Sequence, residues 1–306
     1  MTVTAVDYSG TYDGNTHSGG ATASVTAGTT YQYSTDGGQT WSSTVPSITN
    51  VGTVVYTVKA SNPNYEDATD TGTLTLAKRH VIVTITGAEE TVTYNGKEQR
   101  LAGHTFAASD PLYLESYLTQ SVADKVDGTN AGQYPMNLQG GFGNSNPNFE
   151  VEFSITDGLL IIEQKKLTIT VLPQTYTYNG RAQGENGGTY TGRDLAEKVS
   201  TNGLINDRPV VHELYSITLN GNETNAGVYN NKIKATLAVI HDQNGTDVTA
   251  NYAITYEAGR LTIDKYPLAI SIKGENDTKP YDGTEHAVKG YTAECSDNFF
   301  VASKVT

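Results

Sequence analysis

The chain has 306 residues, a net charge of −13, 20 tyrosines and one cysteine, Cys295. The acidic balance disfavours nucleic acid as a partner because it repels the phosphate backbone, and no apolar run is long enough to span a bilayer. A single cysteine excludes an intramolecular disulfide. The composition is rich in Thr, Val, Tyr, Asn, Gly and Ile, which is typical of β-structure.

Four short words recur in a fixed order along the chain. The first is Tyr-Asp-Gly or Tyr-Asn-Gly, which we call the opening word. A middle word with Asn and Gly, an Asn-aromatic word and a closing Gly-x-Leu-x-apolar word follow it. The opening words begin at Tyr12, Tyr94, Tyr178 and Tyr281; the middle words at Asn50, Asn130 and Asn225; the Asn-aromatic words at Asn64, Asn148 and Asn251; and the closing words at Gly72, Gly158 and Gly259.

This order predicts three complete repeats and an incomplete fourth. We place them at residues 1–79, a variant copy, and at 80–166, 167–266 and 267–306. The sequence starts and stops within repeats, and its first residues carry no basic or apolar leader. We therefore expect a segment of a longer repeat protein, whose fourth copy packs on the third or borrows a strand from another chain.

Apolar residues alternate with Thr or Ser on both sides of each repeat boundary, as in 74–76 and 81–85. This period of two predicts strands with one buried face. The junctions are short and contain no glycine linker, which favours an extended rod. Each opening word predicts a turn with its glycine at positive φ and its tyrosine packed back on the core.

Helix is scarce in the pattern. Asp194–Val199 could form one or two turns with Asp194 as N-cap, and Asp110-Pro111 could open a second short helix. We predict an all-β, elongated tandem array of small antiparallel β-sandwich modules with immunoglobulin-like topology. β-grasp modules are the alternative that the 194–199 segment keeps open.

The recurring words resemble the YDG and MBG-type tandem repeats of bacterial cell-surface, adhesin-like proteins. The resemblance covers essentially the whole chain. It implies an extracellular location on the bacterial surface, in a parent protein that is wall- or membrane-anchored, with neighbouring repeats of the same chain as partners. It supplies no catalytic residues.

Site signals are weak. The six histidines form no zinc-binding pattern, and no nucleophile elbow is present, so we expect no enzyme, cofactor or metal. Asp242–Asp247 could bind calcium or form a plain hairpin turn. A lysine–asparagine isopeptide bond at the closing lysines is a further alternative, with Lys78, Lys165 and Lys265 as its candidates.

Aromatic rings give the best argument for a ligand, because they can stack on sugar faces. The tyrosines of the repeating words recur at fixed positions, which favours packing over binding. The rings outside those words are the candidate ligand-binding residues: Trp41, Tyr31, Tyr33, Tyr113 and Tyr117. We expect a non-enzymatic stalk or adhesin segment, with a module that binds host glycan or mucin as the alternative.

Overall fold

The computed structural model describes residues 1–297. It is nearly all β, with 58% of residues in strands and 4% in helix, so the predicted all-β class is confirmed. The chain folds as two compact units: Met1–Val92 with Glu98–Ile162, and Thr93–Lys97 with the chain from Glu163 onward. The repeat boundaries at 79, 166 and 266 stay predictions. No helix of the described residues is long and apolar enough to cross a membrane.

The first repeat is built around a four-stranded sheet. The repeat has eight strands: β1 (Val3–Ala5), β2 (Tyr8–Thr11), β3 (His17–Ser18), β4 (Ala21–Ala23), β5 (Thr30–Ser34), β6 (Ser47–Ile48), β7 (Gly52–Asn62) and β8 (Tyr65–Ala77). The sheet order is β2-β8-β7-β5, and β1 pairs with β4 and β3 with β6. Side chains alternate between the two faces along β7 and β8, and one face directs Tyr56, Val58, Leu74 and Leu76 into the same core.

A tyrosine and a glycine face each other in that sheet, at Tyr56 and Gly72. A Cβ on Gly72 would lie 2.6 Å from the Tyr56 ring, so the closing-word glycine makes room for the aromatic ring. The Tyr56 hydroxyl accepts the N–H groups of Val6 and Gly20 at 3.1 Å. This pairing explains why the closing word of the first repeat begins with glycine.

The second repeat contains ten short strands. They are β9 (Arg79–Gly87), β10 (Glu89–Thr93), β11 (Gln99–Ala102), β12 (His104–Ala108), β13 (Leu118–Gln120), β14 (Lys125–Gly128), β15 (Gly132–Pro135), β16 (Phe142–Asn144), β17 (Phe149–Thr156) and β18 (Leu159–Glu163). The three-stranded sheets are β12-β9-β17 and β10-β18-β15, with the pairs β11-β14 and β13-β16. A 3₁₀-helix at Glu115–Tyr117 lies in the region that Asp110-Pro111 opens.

Among the described residues, the third repeat has the longest strands and the one α-helix. Its elements are β19 (Lys165–Val171), β20 (Gln174–Thr177), β21 (Gln183–Thr191), α1 (Gly192–Ala196), β22 (Val199–Asn202), β23 (Asn206–Asp207), β24 (Val210–Glu223), β25 (Gly227–Asp242), a 3₁₀-helix (Thr249–Asn251), β26 (Tyr252–Glu257) and β27 (Gly259–Asp264). The larger sheet runs β20-β27-β25-β24-β21 with β23 on β24, and the smaller one runs β22-β19-β26. The helix overlaps the predicted 194–199 segment but begins at Gly192, so Thr191 and not Asp194 is its N-cap residue.

The sheets contain parallel strand pairs beside the antiparallel pairs that the sequence predicted. The parallel pairs include β2–β8, β9–β17, β19–β26 and β20–β27. In the second and third repeats, the strand that opens the repeat therefore lies between one antiparallel and one parallel neighbour. The parallel neighbour begins at the Asn-aromatic word, with Phe149 opposite Arg79 and Tyr252 opposite Lys165.

The described part of the fourth repeat contains two strands, β28 (Ser271–Gly274) and β29 (Tyr291–Glu294), which pair antiparallel. All four opening-word glycines have φ between 73° and 79°, as predicted for Gly14, Gly96, Gly180 and Gly283. The residue before each glycine closes the turn by accepting the backbone N–H two residues onward. This side-chain turn explains why that position is always Asp or Asn.

Candidate functional site

The ligand-binding candidates of the first repeat lie on and beside β5. Tyr33 is buried in the core cluster, and burial raises the pKa of its hydroxyl. Tyr31 is half-buried, and its hydroxyl accepts the N–H of Ala23 at 3.0 Å. Trp41 is half-buried, with Lys59 Nζ 5.0 Å from the centre of its ring. Only Tyr31 and Trp41 of these three therefore keep ring surface open to solvent.

The loop between Tyr33 and Trp41 is held by one carboxylate, Asp36. It accepts the hydroxyls of Ser34 and Thr40, both at 2.6 Å, and the backbone N–H of Thr40 at 3.0 Å. These hydrogen bonds hold the pKa of Asp36 well below its ordinary value, the Ser34 hydroxyl contributing most. Asp36 thus fixes the loop that presents Trp41.

The candidates of the second repeat belong to an aromatic cluster. Tyr113 is 3% exposed and meets Phe149 edge-on, with ring centres 5.2 Å apart. Tyr117 is half-buried, 5.7 Å from Tyr113. The expectation of free rings is therefore wrong for Tyr33 and Tyr113, whose positions outside the repeating words gave no sign of their burial. Ligand binding at Trp41, Tyr31 and Tyr117 stays a prediction.

Buried charge is concentrated at Glu185. Its carboxylate accepts Gln174 Nε2 at 2.7 Å, Lys198 Nζ at 2.9 Å and the Tyr190 hydroxyl. Burial alone would raise the pKa of Glu185, but these partners, Lys198 foremost, bring it below its ordinary value. The ion pair joins β21 to the chain after α1. The carboxylate oxygens of Glu185 are engaged in hydrogen bonds within the fold.

No cluster of three or more potential metal ligands occurs in the part of the chain that the structure describes. The Asp242–Asp247 segment forms a hairpin turn, in which the Asp242 carboxylate accepts the N–H groups of Asn244 and Thr246, both at 2.8 Å. The plain turn is therefore the structure found at the calcium candidate.

The recurring words meet where the first repeat joins the second. Tyr12 of the opening word packs edge-on against Phe149, with ring centres 5.4 Å apart and planes at 78°. Asn148 donates to Asn50 Oδ1 at 3.0 Å and accepts the Val51 N–H at 2.8 Å. The opening and middle words of one repeat thus hold the Asn-aromatic word of the next. We call this set of five residues the first joint.

An ion pair lies beside the first joint. Arg79 donates to the buried carboxylate of Asp110, and its guanidinium also reaches the Tyr12 carbonyl at 3.4 Å. Burial would raise the pKa of Asp110, but the Leu112 N–H and Arg79 lower it below its ordinary value. The charged pair therefore fixes the backbone on which Tyr12 is carried.

Tyr94 repeats the arrangement among residues that all belong to the second unit. Its buried ring lies edge-on to Tyr252, with centres 5.8 Å apart, and 5.9 Å from His212. His212 Nδ1 and the Tyr252 hydroxyl are 2.7 Å apart, and Lys97 Nζ lies 2.8 Å from Asp207. Burial raises the pKa of Tyr252 to about 12. We call Tyr94, Tyr252, His212, Lys97 and Asp207 the second joint.

These contacts correct the expectation that opening-word tyrosines pack on their own core. Tyr12 packs on the core of the second repeat, and Tyr94 packs on Tyr252 of the third. Tyr178 is half-buried and lines a groove of about 370 Å³ with Asn225, Ala226, Lys265, Tyr266 and Leu268. The distance from each closing-word glycine to the next opening-word tyrosine is nearly constant, at 22, 20 and 22 residues, and this was the signal in the sequence for a joint of this kind.

No family profile and no curated protein matches this chain. Solved structures give weak likenesses. A Bacteroides ovatus mixed-linkage glucan utilisation protein, SGBP-B, in complex with a mixed-linkage heptasaccharide, is 13% identical over 91% of this chain and 72% of that one, with a TM-score of 0.18. Four domains of Drosophila N-cadherin, EC1-4, are 8% identical over 85% and 73%, at 0.18. A 1.5-MDa bacterial ice-binding adhesin is 10% identical over 82% and 91%, at 0.24. Scores this far below 0.5 carry no ligand or role over to this chain.

Proposed function

We propose that the chain is a non-enzymatic segment of a bacterial cell-surface repeat protein and acts as a stalk or adhesin module. The observation that carries this proposal is the first joint, where the words that define the repeat are engaged in holding the next repeat. Tyr12, Asn50 and Val51 grip Asn148 and Phe149. A repeat whose most regular residues make its connection suits a protein that builds length.

The chemistry of the first joint favours a stiff connection. An edge-on aromatic pair contributes about 0.5–1.5 kcal/mol beyond its buried area, and each hydrogen bond about 1 kcal/mol. Both side-chain hydrogen bonds of Asn148 reach adjacent residues of the first repeat, Asn50 and Val51, so bending at this point would break them together. The short connection between β8 and β9, a single residue, adds to this restraint.

The polar groups support a structural role as well. Glu185 and Asp110, which are buried, are each engaged by a cation of the same unit, and Asp36 is held by its own loop. Carboxylates engaged in this way have little capacity left for proton transfer. We propose on this basis that the segment is not an enzyme, that it belongs to the YDG and MBG-type surface repeats, and that it works outside the cell.

Spin labels test the proposed stiffness within the first unit. Ser43→Cys and Lys125→Cys place labels on exposed residues of the first and second repeats, in a Cys295→Ser background. We expect a narrow distance distribution that broadens when Tyr12 and Asn148 are both replaced by alanine. Tyr65→Ala, which removes an exposed aromatic ring of the first repeat, is the matched control and should leave the distribution narrow. A broad distribution in the starting protein would contradict the stalk.

Host-glycan binding is the second candidate, and Trp41 favours it. Its ring is half-exposed on a loop that Asp36 holds in place. An array of glycans and host mucins, read with and without calcium, tests this function. Binding that is lost in Trp41→Ala but kept in Tyr65→Ala would establish a lectin site, whereas a blank array from folded protein would remove this candidate.

A further inference from the structure

The first strand of the fourth repeat has only one strand partner in the described residues. β28 pairs antiparallel with β29, as β9 pairs with β12 and β19 with β22. In the second and third repeats, the other edge of this strand carries a parallel neighbour, β17 or β26. Among residues 1–297, no strand pairs with that second edge of β28.

The apolar side chains on β28 and just before it have counterparts that are core residues elsewhere in the molecule. Leu268, Ile270 and Ile272 occupy the positions of Leu167, Ile169 and Val171. Ile169 is 0% exposed, whereas Ile270 is 39% and Ile272 59% exposed. Apolar side chains that recur with this spacing at an open sheet edge form a surface suited to one more strand.

A receptor for the start of such a strand lies next to the open edge. Tyr178 of the opening word and Asn225-Ala226 of the middle word line the groove of about 370 Å³ with Leu268. The corresponding residues of the first repeat are Tyr12 and Asn50-Val51, which hold Asn148-Phe149. The groove therefore brings together the residue types that grip an Asn-aromatic pair in the first joint.

We propose that this edge binds, in parallel, an extended segment that begins with Asn-Tyr or Asn-Phe and continues with alternating apolar residues. The groove holds the Asn-aromatic pair, and the following residues pair with the chain around Leu268 and Ile270. By the register of Tyr252 opposite Lys165, the aromatic residue lies opposite Tyr266. Main-chain hydrogen bonds supply affinity, and the alternate side chains supply selectivity.

Binding should also extend β28. Residues 266–270 are not in a strand, whereas the equivalent residues 79–83 of β9 and 165–169 of β19 are. A parallel partner would offer these residues the hydrogen bonds that their counterparts make in β9 and β19, except at Pro267, which has no N–H to donate. The inference rests on strand pairing and not on the proposed stalk role, so either can fail alone.

The test uses the full chain and a fluorescent peptide with the sequence of residues 148–157, which contains Asn148, Phe149 and the whole of β17. We expect saturable binding by fluorescence anisotropy, with hydrogen-exchange protection appearing at residues 266–272. Replacement of the two leading peptide residues by alanine should weaken binding about tenfold or more, because they are the anchors. A scrambled peptide of the same composition should not bind.

Protein variants locate the site. Ile270→Asn should weaken binding about tenfold or more, and Val55→Asn, which alters an exposed apolar residue on a strand of the first repeat, should leave it unchanged. Because Ile270 is 39% exposed, this substitution should disturb the fold less than the same change at a buried core position. No binding, equal binding of the scrambled peptide, or binding without protection at 266–272 would each overturn the proposal. The spin-label distances of the first unit are independent of all these outcomes.

Discussion

The two joints share one contact and differ in everything around it. In both, an opening-word tyrosine meets the aromatic residue of an Asn-aromatic word edge-on, with ring centres 5.4 Å apart at Tyr12 and 5.8 Å apart at Tyr94. The polar surroundings differ: Arg79 and Asp110 form a partly buried ion pair beside the first, and a buried histidine lies against the second. The aromatic contact is therefore the common element, and the polar partners are particular to each repeat.

Because their polar partners differ, the two joints should lose stability in different pH ranges. A buried carboxylate beside Tyr12 makes the first joint sensitive to acid in the range where aspartate titrates, and a buried imidazole makes the second sensitive nearer neutrality. The common aromatic contact should show no dependence on pH. Substitutions that remove either the shared aromatic contact or the polar partners of one joint therefore test the comparison.

The largest effect is expected from Phe149→Ala, which removes the ring at the centre of the first joint and of the second-repeat core. We expect a loss of about 3–5 kcal/mol in the free energy of unfolding of the first unit. The only tryptophan, Trp41, lies in that unit and reports its unfolding in urea by fluorescence. Tyr252→Ala, the matching change in the second unit, should leave the Trp41 transition in place; an equal shift would show that the two joints are not independent.

A smaller effect is expected from Asp110→Asn, which leaves Arg79 without its buried carboxylate. We expect a loss of about 1–3 kcal/mol at neutral pH. Because the folded pKa of Asp110 is lowered, its contribution is present above the unfolded value of about 3.9 and is lost as pH falls through the folded pKa.

The Trp41 urea transition, followed between pH 7 and pH 2, measures that contribution. The loss of stability in acid should be shallower in Asp110→Asn than in the starting protein. Asp127→Asn, which removes a carboxylate from an exposed ion pair in the same unit, is the control and should change the neutral stability by less. Identical pH profiles for Asp110→Asn and the starting protein would show that the carboxylate does not stabilise the first joint.

The second joint should respond near neutral pH through His212. Burial lowers the pKa of this imidazole, so its neutral form is favoured in the folded protein. The stability that depends on neutral His212 is complete above the unfolded pKa of about 6.5 and is lost as pH falls below that value, by up to about 1.4 kcal/mol per pH unit.

Hydrogen exchange in the β24 and β26 amides, compared at pH 7.5 and 5.5 after correction for intrinsic rates, measures that change. His212→Gln should abolish it, while His80→Gln, at an exposed histidine in the first unit, should leave it intact. A pH dependence that survives in His212→Gln would assign the effect to another group.

Much of the fold was predictable because strand burial follows a period of two. Val81, Val83 and Ile85 are buried as their alternation predicts, and each opening-word glycine has the positive φ that its turn requires. Local chemistry fixes these features. Pairing direction was not predictable in this way, because alternation shows which face of a strand is buried but not which strand lies beside it.

The same limit explains the errors at the candidate site. Tyr33 and Tyr113 lie outside the repeating words, but a ring can fill a core position at a site that only one repeat uses. Tyr12 and Tyr94 lie within a repeating word, but the packing that keeps them constant is with the following repeat. Their recurrence at fixed positions indicated that these tyrosines pack in the interior. Which residues they pack against is visible only in the three-dimensional structure.

The smallest effect is expected from Lys97→Ala. Lys97 Nζ lies 2.8 Å from Asp207, but both side chains are largely exposed, so solvent and salt screen the attraction and the pair should contribute little to stability. The loss should disappear in high salt, whereas the loss in Tyr94→Ala should remain, because Tyr94 is buried against Tyr252. Hydrogen exchange in β26 at low and high salt measures both. If Lys97→Ala reduced the protection of β26 more than Tyr94→Ala did, the second joint would be stabilised mainly by charge. The aromatic contact would then not be the interaction that stabilises both joints.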